Sequence, residues 1–191
     1  EVLIHKSFGW SSVERKTPMD TGAIFRMASM TKPILATGIL KLMEEGKLKL
    51  SDRISIYIPS YKTISGDSIT IEHLLRHQSG YDGRQIWKEH SEMAQYPNLQ
   101  AAIKVMAANP PALKLGTEEY SSLNSALLTE VMNVAAGMPA EEYLRRNVLE
   151  PLKMNDTYLL DDTSASWYNR VASTYEYDEV TGKASLYWDP K

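Results

Sequence analysis

The sequence predicts a mixed α/β (α+β) fold in which a mainly helical block is inserted between sheet segments. Three observations carry that prediction. Residues 2–10 are apolar-rich and end in Phe8-Gly9-Trp10, which reads as a strand. The long middle of the chain holds segments with helical spacing and clear start and stop signals. From Val171 onward the pattern turns to Tyr, Val and Thr, with Asp178-Glu179-Val180-Thr181-Gly182-Lys183 as a hairpin turn between two further strands. Strand, helix, helical block and strand in that order define the class.

The elements follow in chain order. Thr17-Pro18-Met19-Asp20-Thr21-Gly22 is turn chemistry, and residues 23–28 are a short apolar approach to Ser29. Residues 33–45 read as a helix closed by Gly46, a normal residue just past a helix end. Pro33 belongs in the first turn, because deeper inside it would break the hydrogen-bond ladder. It also biases Lys32 away from helical angles, a local conflict. Thr70 caps a helix over 71–77, stopped by Ser79-Gly80. Asn98 caps Leu99–Ala108, which ends at Pro110-Pro111. Ser122–Ala136 is closed by Gly137, and Pro139 starts a last helix running to about Glu150. In domain terms, 1–50 form the N-terminal part of a sheet domain, 51–160 a mainly helical domain, and 161–191 the return to the sheet domain. Strands from both ends are expected in one sheet.

Bulk composition excludes several classes. Of the 191 residues 43% are hydrophobic and 24% charged, which allows a buried core without staples. The net charge is -3 and no basic run exceeds two residues, as in Arg145-Arg146, so no nucleic-acid surface is expected. The absence of cysteine excludes disulfides, a Cys nucleophile and thiolate metal sites. No apolar run approaches the ~20 residues that a membrane span needs. The chain opens on Glu1-Val2-Leu3-Ile4 with no signal peptide, so either a leader was removed or this is a piece of a longer protein.

Chemistry points to Ser29 and Lys32. Residues three apart on a helix share a face, and Ser29, Lys32, Ala36, Ile39 and Met43 form one mostly apolar stripe expected to face inward. A lysine on an apolar face is partly desolvated, and desolvation favours the neutral amine. A serine hydroxyl is a poor nucleophile until a base takes its proton, which a neutral amine at hydrogen-bond distance can do. A serine at a helix start also meets the positive end of the helix dipole, and its backbone N–H can form half of an oxyanion hole. The tetrapeptide alone is weak, since Ser-x-x-Lys arises by chance about once in a chain of this length.

Its surroundings are more specific. Asp20-Thr21-Gly22-Ala23-Ile24-Phe25-Arg26-Met27-Ala28-Ser29-Met30-Thr31-Lys32-Pro33 resembles the nucleophile segment of the penicillin-recognising serine hydrolases. These comprise the class C β-lactamases, the related D,D-peptidases and the family VIII carboxylesterases. The likeness continues through Leu42-Met43-Glu44-Glu45-Gly46-Lys47-Leu48, Tyr57-Ile58-Pro59 and Ile71-Glu72-His73-Leu74-Leu75-Arg76-His77-Gln78-Ser79-Gly80, and it ends at Leu149-Glu150-Pro151-Leu152-Lys153-Met154-Asn155-Asp156-Thr157. The pieces stand in the family's order. The resemblance implies a β-lactamase/transpeptidase-like fold, present in part, and an acyl-enzyme mechanism with no cofactor and no metal. It implies a small ester, β-lactam or peptide substrate.

The resemblance also assigns further residues. The family's second motif is Tyr-x-Asn, which falls here on Tyr120-Ser121-Ser122. Tyr120 is then the second proton-transfer group; the chain has 11 tyrosines, and nothing but the resemblance singles this one out. Ser122 stands where the lactamases have a substrate-binding asparagine, and it offers a single, shorter donor. Esters are therefore favoured over β-lactams. The family's third motif, Lys-Thr-Gly or a variant, does not occur, because Thr181-Gly182-Lys183 has the wrong order and lies in the hairpin turn. The resemblance thus implies a missing segment, or a partner chain, that completes the sheet. A non-catalytic ligand-binding relative and an inactive fragment are the competing readings. His73 and His77 are four apart, a zinc-like spacing, but no third ligand accompanies them, and packing and capping explain both. Trp87 and Tyr96 bound a long loop of the kind that shapes a cleft or merely covers a helical block.

Overall fold

In the computed structural model, which describes residues 2–63, 66–87, 92, 95–158 and 163–190, the chain divides into two units. One is Met30–Asn155; the other joins Glu1–Ser29 to Asp156–Lys191.

The first of these is helical. Helix α1 spans Thr31–Glu44. Pro33 is its third residue, where the N–H it lacks would have had no partner inside the helix. Lys32 is therefore helical although a proline follows it. Helix α2 is Ile71–Leu75, opened by a reciprocal cap in which Thr70 Oγ1 accepts from the His73 N–H and His73 Nδ1 accepts from the Thr70 N–H. It stops short of the expected 71–77 because His77 turns left-handed, with φ +54°. Helix α3 is Leu99–Ala108, capped by Asn98 as expected. Helix α4 is Ser122–Ala136, capped by Ser121 and followed by Gly137 in a left-handed conformation. Helix α5, Ala140–Leu144, follows Pro139 and loosens into a π-type turn over Arg145–Leu149.

These helices share one core, in which Ile39, Leu42, Leu74, Met106, Leu127 and Met132 are essentially inaccessible. Each such side chain contributes roughly 1.5 to 3 kcal/mol on burial. The face that α1 buries is Leu35, Gly38, Ile39 and Leu42, rather than the expected stripe. Of that stripe only Ile39 is fully buried; Met43 is 37% exposed, Lys32 is half-buried and Ser29 is exposed. The reason is where the neighbouring helices dock. A Cβ on Gly38 would lie 2.5 Å from Leu144 Cδ2 and 2.7 Å from Met132 Cε, so the closest approach falls on Gly38 and sets the rotation of α1.

A second feature of this unit matters for the site. The segment before α4 is laced to the segment after α2 by backbone bonds. Leu113 N–H donates to Gly80 O (3.0 Å), Gly116 N–H to Gln78 O (2.9 Å) and Glu119 N–H to His77 O (2.9 Å). Gly80 has φ +83°, and a Cβ there would sit 2.4 Å from the Leu113 carbonyl oxygen. Gly80→Ala therefore meets both a left-handed backbone and a backbone clash. It is expected to cost about 2 to 4 kcal/mol. Urea unfolding measures this; a loss below about 1 kcal/mol would show that the lacing gives way easily.

The other unit is built from two antiparallel ribbons. Strand β1, Trp10–Ser12, pairs with β2, Thr17–Pro18, and β3, Thr174–Asp178, pairs with β4, Lys183–Trp188. Ser173 N–H donates to Ser11 O (2.9 Å) and Val13 N–H to Tyr175 Oη (2.7 Å), which ties the ribbons together. Arg15 grips the Asp189 carboxylate at 2.6 and 2.8 Å. Ile24 and Val171 form a parallel bridge. Two expectations are corrected here. The two ends form two ribbons cross-tied by single bonds, not one continuous sheet. The strand expected over 2–10 begins only at Trp10, and Val2, Leu3, Ile4 and Phe8 are about four-fifths exposed. An apolar run becomes a strand only when a neighbour pairs with it. Thr181-Gly182-Lys183 closes the β3–β4 turn as expected, with Asp178 Oδ1 accepting from the Val180 and Thr181 N–H groups.

Candidate active site

Ser29 lies in a short 3-10 turn, Ala28–Met30, that runs straight into α1. The residue before it, Ala28, has φ +44°. A left-handed conformation costs a residue with a Cβ about 1 to 2 kcal/mol, and such outliers gather where function requires a particular presentation. The Ser29 side chain is exposed.

Inside the helical unit, α1 and the start of α4 bring three of the expected residues together. Lys32 Nζ donates to Ser122 Oγ at 3.4 Å, across 90 residues of sequence. The same ammonium stands 4.9 Å from the centroid of the Tyr120 ring, within cation–π range. Ser121, between them, is buried, and its Oγ accepts from the Leu123 N–H to cap α4. That cap fixes the chain direction at Tyr120 and Ser122. Tyr120 is 55% exposed. Ser122, expected to bind substrate, has its oxygen engaged by Lys32.

The site contains residues that sequence reasoning did not place there. His73 caps α2, in line with its bland reading, but His77 packs its ring on Tyr120 with centroids 4.8 Å apart. His77 Nδ1 lies 3.1 Å from both the Ser121 N–H and the Asn124 side-chain nitrogen. Asn124 Oδ1 accepts from the buried Ser79 hydroxyl at 2.5 Å. Burial pushes the His77 pKa down and the Lys32 charge pushes it the same way, while the hydrogen bond with the Ser121 backbone and the Glu118 charge oppose them. The family-like wording around His77 was visible in the sequence, but Asn124 carried no signal at all.

Other candidates stay apart from this cluster. Trp87 and Tyr96 meet edge to face at 5.6 Å and line a cavity of about 460 Å³ with Gln85, Ile86, Val105 and Asn109. Of the loop between the two aromatics, 88–91 and 93–94 lie outside the described residues. Among the described residues no group of three or more His, Cys, Asp or Glu side chains could hold a metal. No helix of the described residues is long and apolar enough to cross a membrane.

Comparison with known proteins identifies the family and the fold. The family model described as Beta-lactamase matches residues 1–190. A penicillin-binding protein of Bacillus subtilis (strain 168) is 27% identical over 183 residues, covering 93% of this chain and 40% of its own length. The structure of the octameric penicillin-binding protein homologue from Pyrococcus abyssi superposes with a TM-score of 0.79 at 27% identity, over 100% of this chain and 44% of that one. EstCE1, a hydrolase with promiscuous acyltransferase activity, shares the fold with a TM-score of 0.76 at 24% identity, over 95% of this chain and 50% of its own. The chain thus spans half or less of the length of these relatives, and it aligns with a β-lactamase/transpeptidase-like fold.

Proposed function

Since the chain belongs to the Beta-lactamase family, we propose that the full-length protein is a serine hydrolase that works through an acyl-enzyme on Ser29. The observation that carries this reading is the convergence of Lys32 on Tyr120 and Ser122 at 4.9 and 3.4 Å. A phenol of ordinary pKa ~10 becomes a usable base when an adjacent ammonium stabilises its anion. Lys32 and Tyr120 then exchange the proton that the Ser29 hydroxyl gives up on attack and return it to the leaving group. The left-handed Ala28 and the exposure of Ser29 at the start of α1 support its role as nucleophile. No cofactor and no metal enter these steps.

Within that reading, esters are the preferred substrates. Amide and β-lactam substrates present a side-chain amide that an asparagine at position 122 would bind with both a donor and an acceptor. Ser122 has one hydrogen to give, and its oxygen already takes a bond from Lys32. A hydrogen bond lost in a closed site costs roughly 1 to 3 kcal/mol, about tenfold to a hundredfold in rate. The test compares kcat/KM for p-nitrophenyl butyrate and for a cephalosporin in the full-length protein and in its Ser122→Asn variant. The ester is expected to be the better substrate, and Ser122→Asn should raise the cephalosporin rate by more than it raises the ester rate. A cephalosporin preference in the unaltered protein would end the ester reading. Turnover of neither substrate, with no adduct on Ser29, would end the hydrolase reading itself.

A further inference from the structure

We propose that His77 is the positioning residue for Tyr120: it holds the tyrosine's backbone from both sides and packs against its ring, in the tautomer that leaves Nδ1 as an acceptor. The proposal rests on Tyr120 acting in proton transfer as read above. It begins with backbone geometry. His77 O accepts the N–H of Glu119, one residue before Tyr120, at 2.9 Å. His77 Nδ1 faces the N–H of Ser121, one residue after it, at 3.1 Å. The imidazole then covers the ring at 4.8 Å. One residue thus makes contact before, after and upon Tyr120. The left-handed backbone of His77, φ +54°, ends α2 before this residue and leaves its carbonyl to the Glu119 N–H instead of to a further helical turn.

The tautomer follows from the one donor that cannot rotate. A backbone N–H pointing at Nδ1 requires a lone pair there, so the ring proton of neutral His77 belongs on Nε2. The Asn124 side chain must then turn its NH2 to Nδ1 and its oxygen to the Ser79 hydroxyl, as observed. Asn124, Ser79 and Ser121 are each about 99% buried or more, so every group in this chain must be satisfied from within. Protonating Nδ1 would break the bonds from Ser121 and Asn124 together. It would also add a second cation near Lys32. The charged and titratable groups facing His77 are Lys32 from α1, and Glu118 and Tyr120 from the segment before α4. Burial and Lys32 favour the neutral ring, and the hydrogen bond with the Ser121 backbone and the Glu118 charge work against them, with the net shift downward. His77 therefore stays neutral until the pH falls below the ordinary imidazole value of ~6.5. Passing through its lowered pKa then releases the grip on Tyr120.

Two substitutions separate the contributions. His77→Asn keeps an acceptor near the Nδ1 position and tolerates a left-handed backbone, but it removes the ring and the titration. His77→Phe keeps a ring but strands the Ser121 N–H and the Asn124 amide. The full-length protein is examined first by nitrogen NMR of the histidine rings, with His77→Asn providing the assignment. The expected pattern is an Nε2–H ring that titrates below ~6.5, with the Ser121 amide and Tyr120 ring resonances moving at the same midpoint. This readout stands even if Ser29 is never acylated, which would sink the hydrolase reading and leave the positioning intact. In the activity assay above pH 7, kcat should fall about tenfold or more in the Phe variant, and distinctly less in the Asn variant, with KM little changed in both. The part of the acid limb that belongs to His77 should be missing from the Asn variant. Tyr120 resonances that ignore the His77 titration, an Nδ1–H ring, or a Phe variant with unaltered kcat would each overturn the proposal.

Discussion

Replacing Ser29 by alanine should remove covalent labelling by a fluorophosphonate or a penicillin-type probe and bring hydrolysis down to background. The loss of an attacking oxygen in serine hydrolases lowers kcat by up to about a million-fold, because no neighbouring group can form the ester in its place. The fold should be unaffected. Ser29 is exposed on a turn and contributes nothing to the core around Ile39 and Leu127. The measurement is mass-spectrometric mapping of the adduct, beside thermal unfolding of the variant. An adduct on Ser122 or Ser79 would reassign the nucleophile. Ser79 is the less plausible site on physical grounds, since its hydroxyl is buried and spent on Asn124.

The Lys32→Arg variant should lose nearly as much acylation as Lys32→Ala, about a hundredfold to ten-thousandfold. The comparison is informative because of what arginine preserves. A guanidinium keeps the positive charge, can still donate to Ser122 Oγ, and packs well on the Tyr120 ring. It cannot release its proton at working pH. If Lys32 serves only as a fixed charge beside Tyr120, the Arg variant will remain active. If Lys32 moves a proton, both variants will fail. The rate of probe acylation, followed in single turnovers, separates chemistry from later steps. An Arg variant within about tenfold of the unaltered protein would remove Lys32 from the proton path, a difference of ~1.4 kcal/mol in barrier.

Much of the helical unit was legible because its ends are written in local chemistry. Asn98 and Thr70 precede helices that begin at the next residue, and Gly46 and Gly137 stand where helices stop. These signals act within three or four residues, which is the range over which a sequence can be read directly. The failures lie where partners are distant. Residues 2–9 have strand-forming composition but no strand, because pairing needs a neighbour and composition cannot supply one. The helix expected over 71–77 ends early because His77 is drawn toward the segment 119–121, more than forty residues away.

The sequence by itself determined the family, the candidate nucleophile Ser29 and its partner Lys32, and the order of helical and extended segments. It could do so because spacing within one turn and wording around a motif are local properties of the chain. Only the tertiary structure decided which face α1 buries, since that depends on where Met132 and Leu144 meet Gly38. Only the tertiary structure brought Lys32 to Ser122 and Tyr120, set His77 against the Tyr120 ring and tied Asn124 to Ser79. Those contacts join residues 45 and 90 positions apart, and no rule of local spacing connects them. They exist because α1, α2 and α4 share one apolar core, and packing that core leaves the polar ends of the three helices side by side.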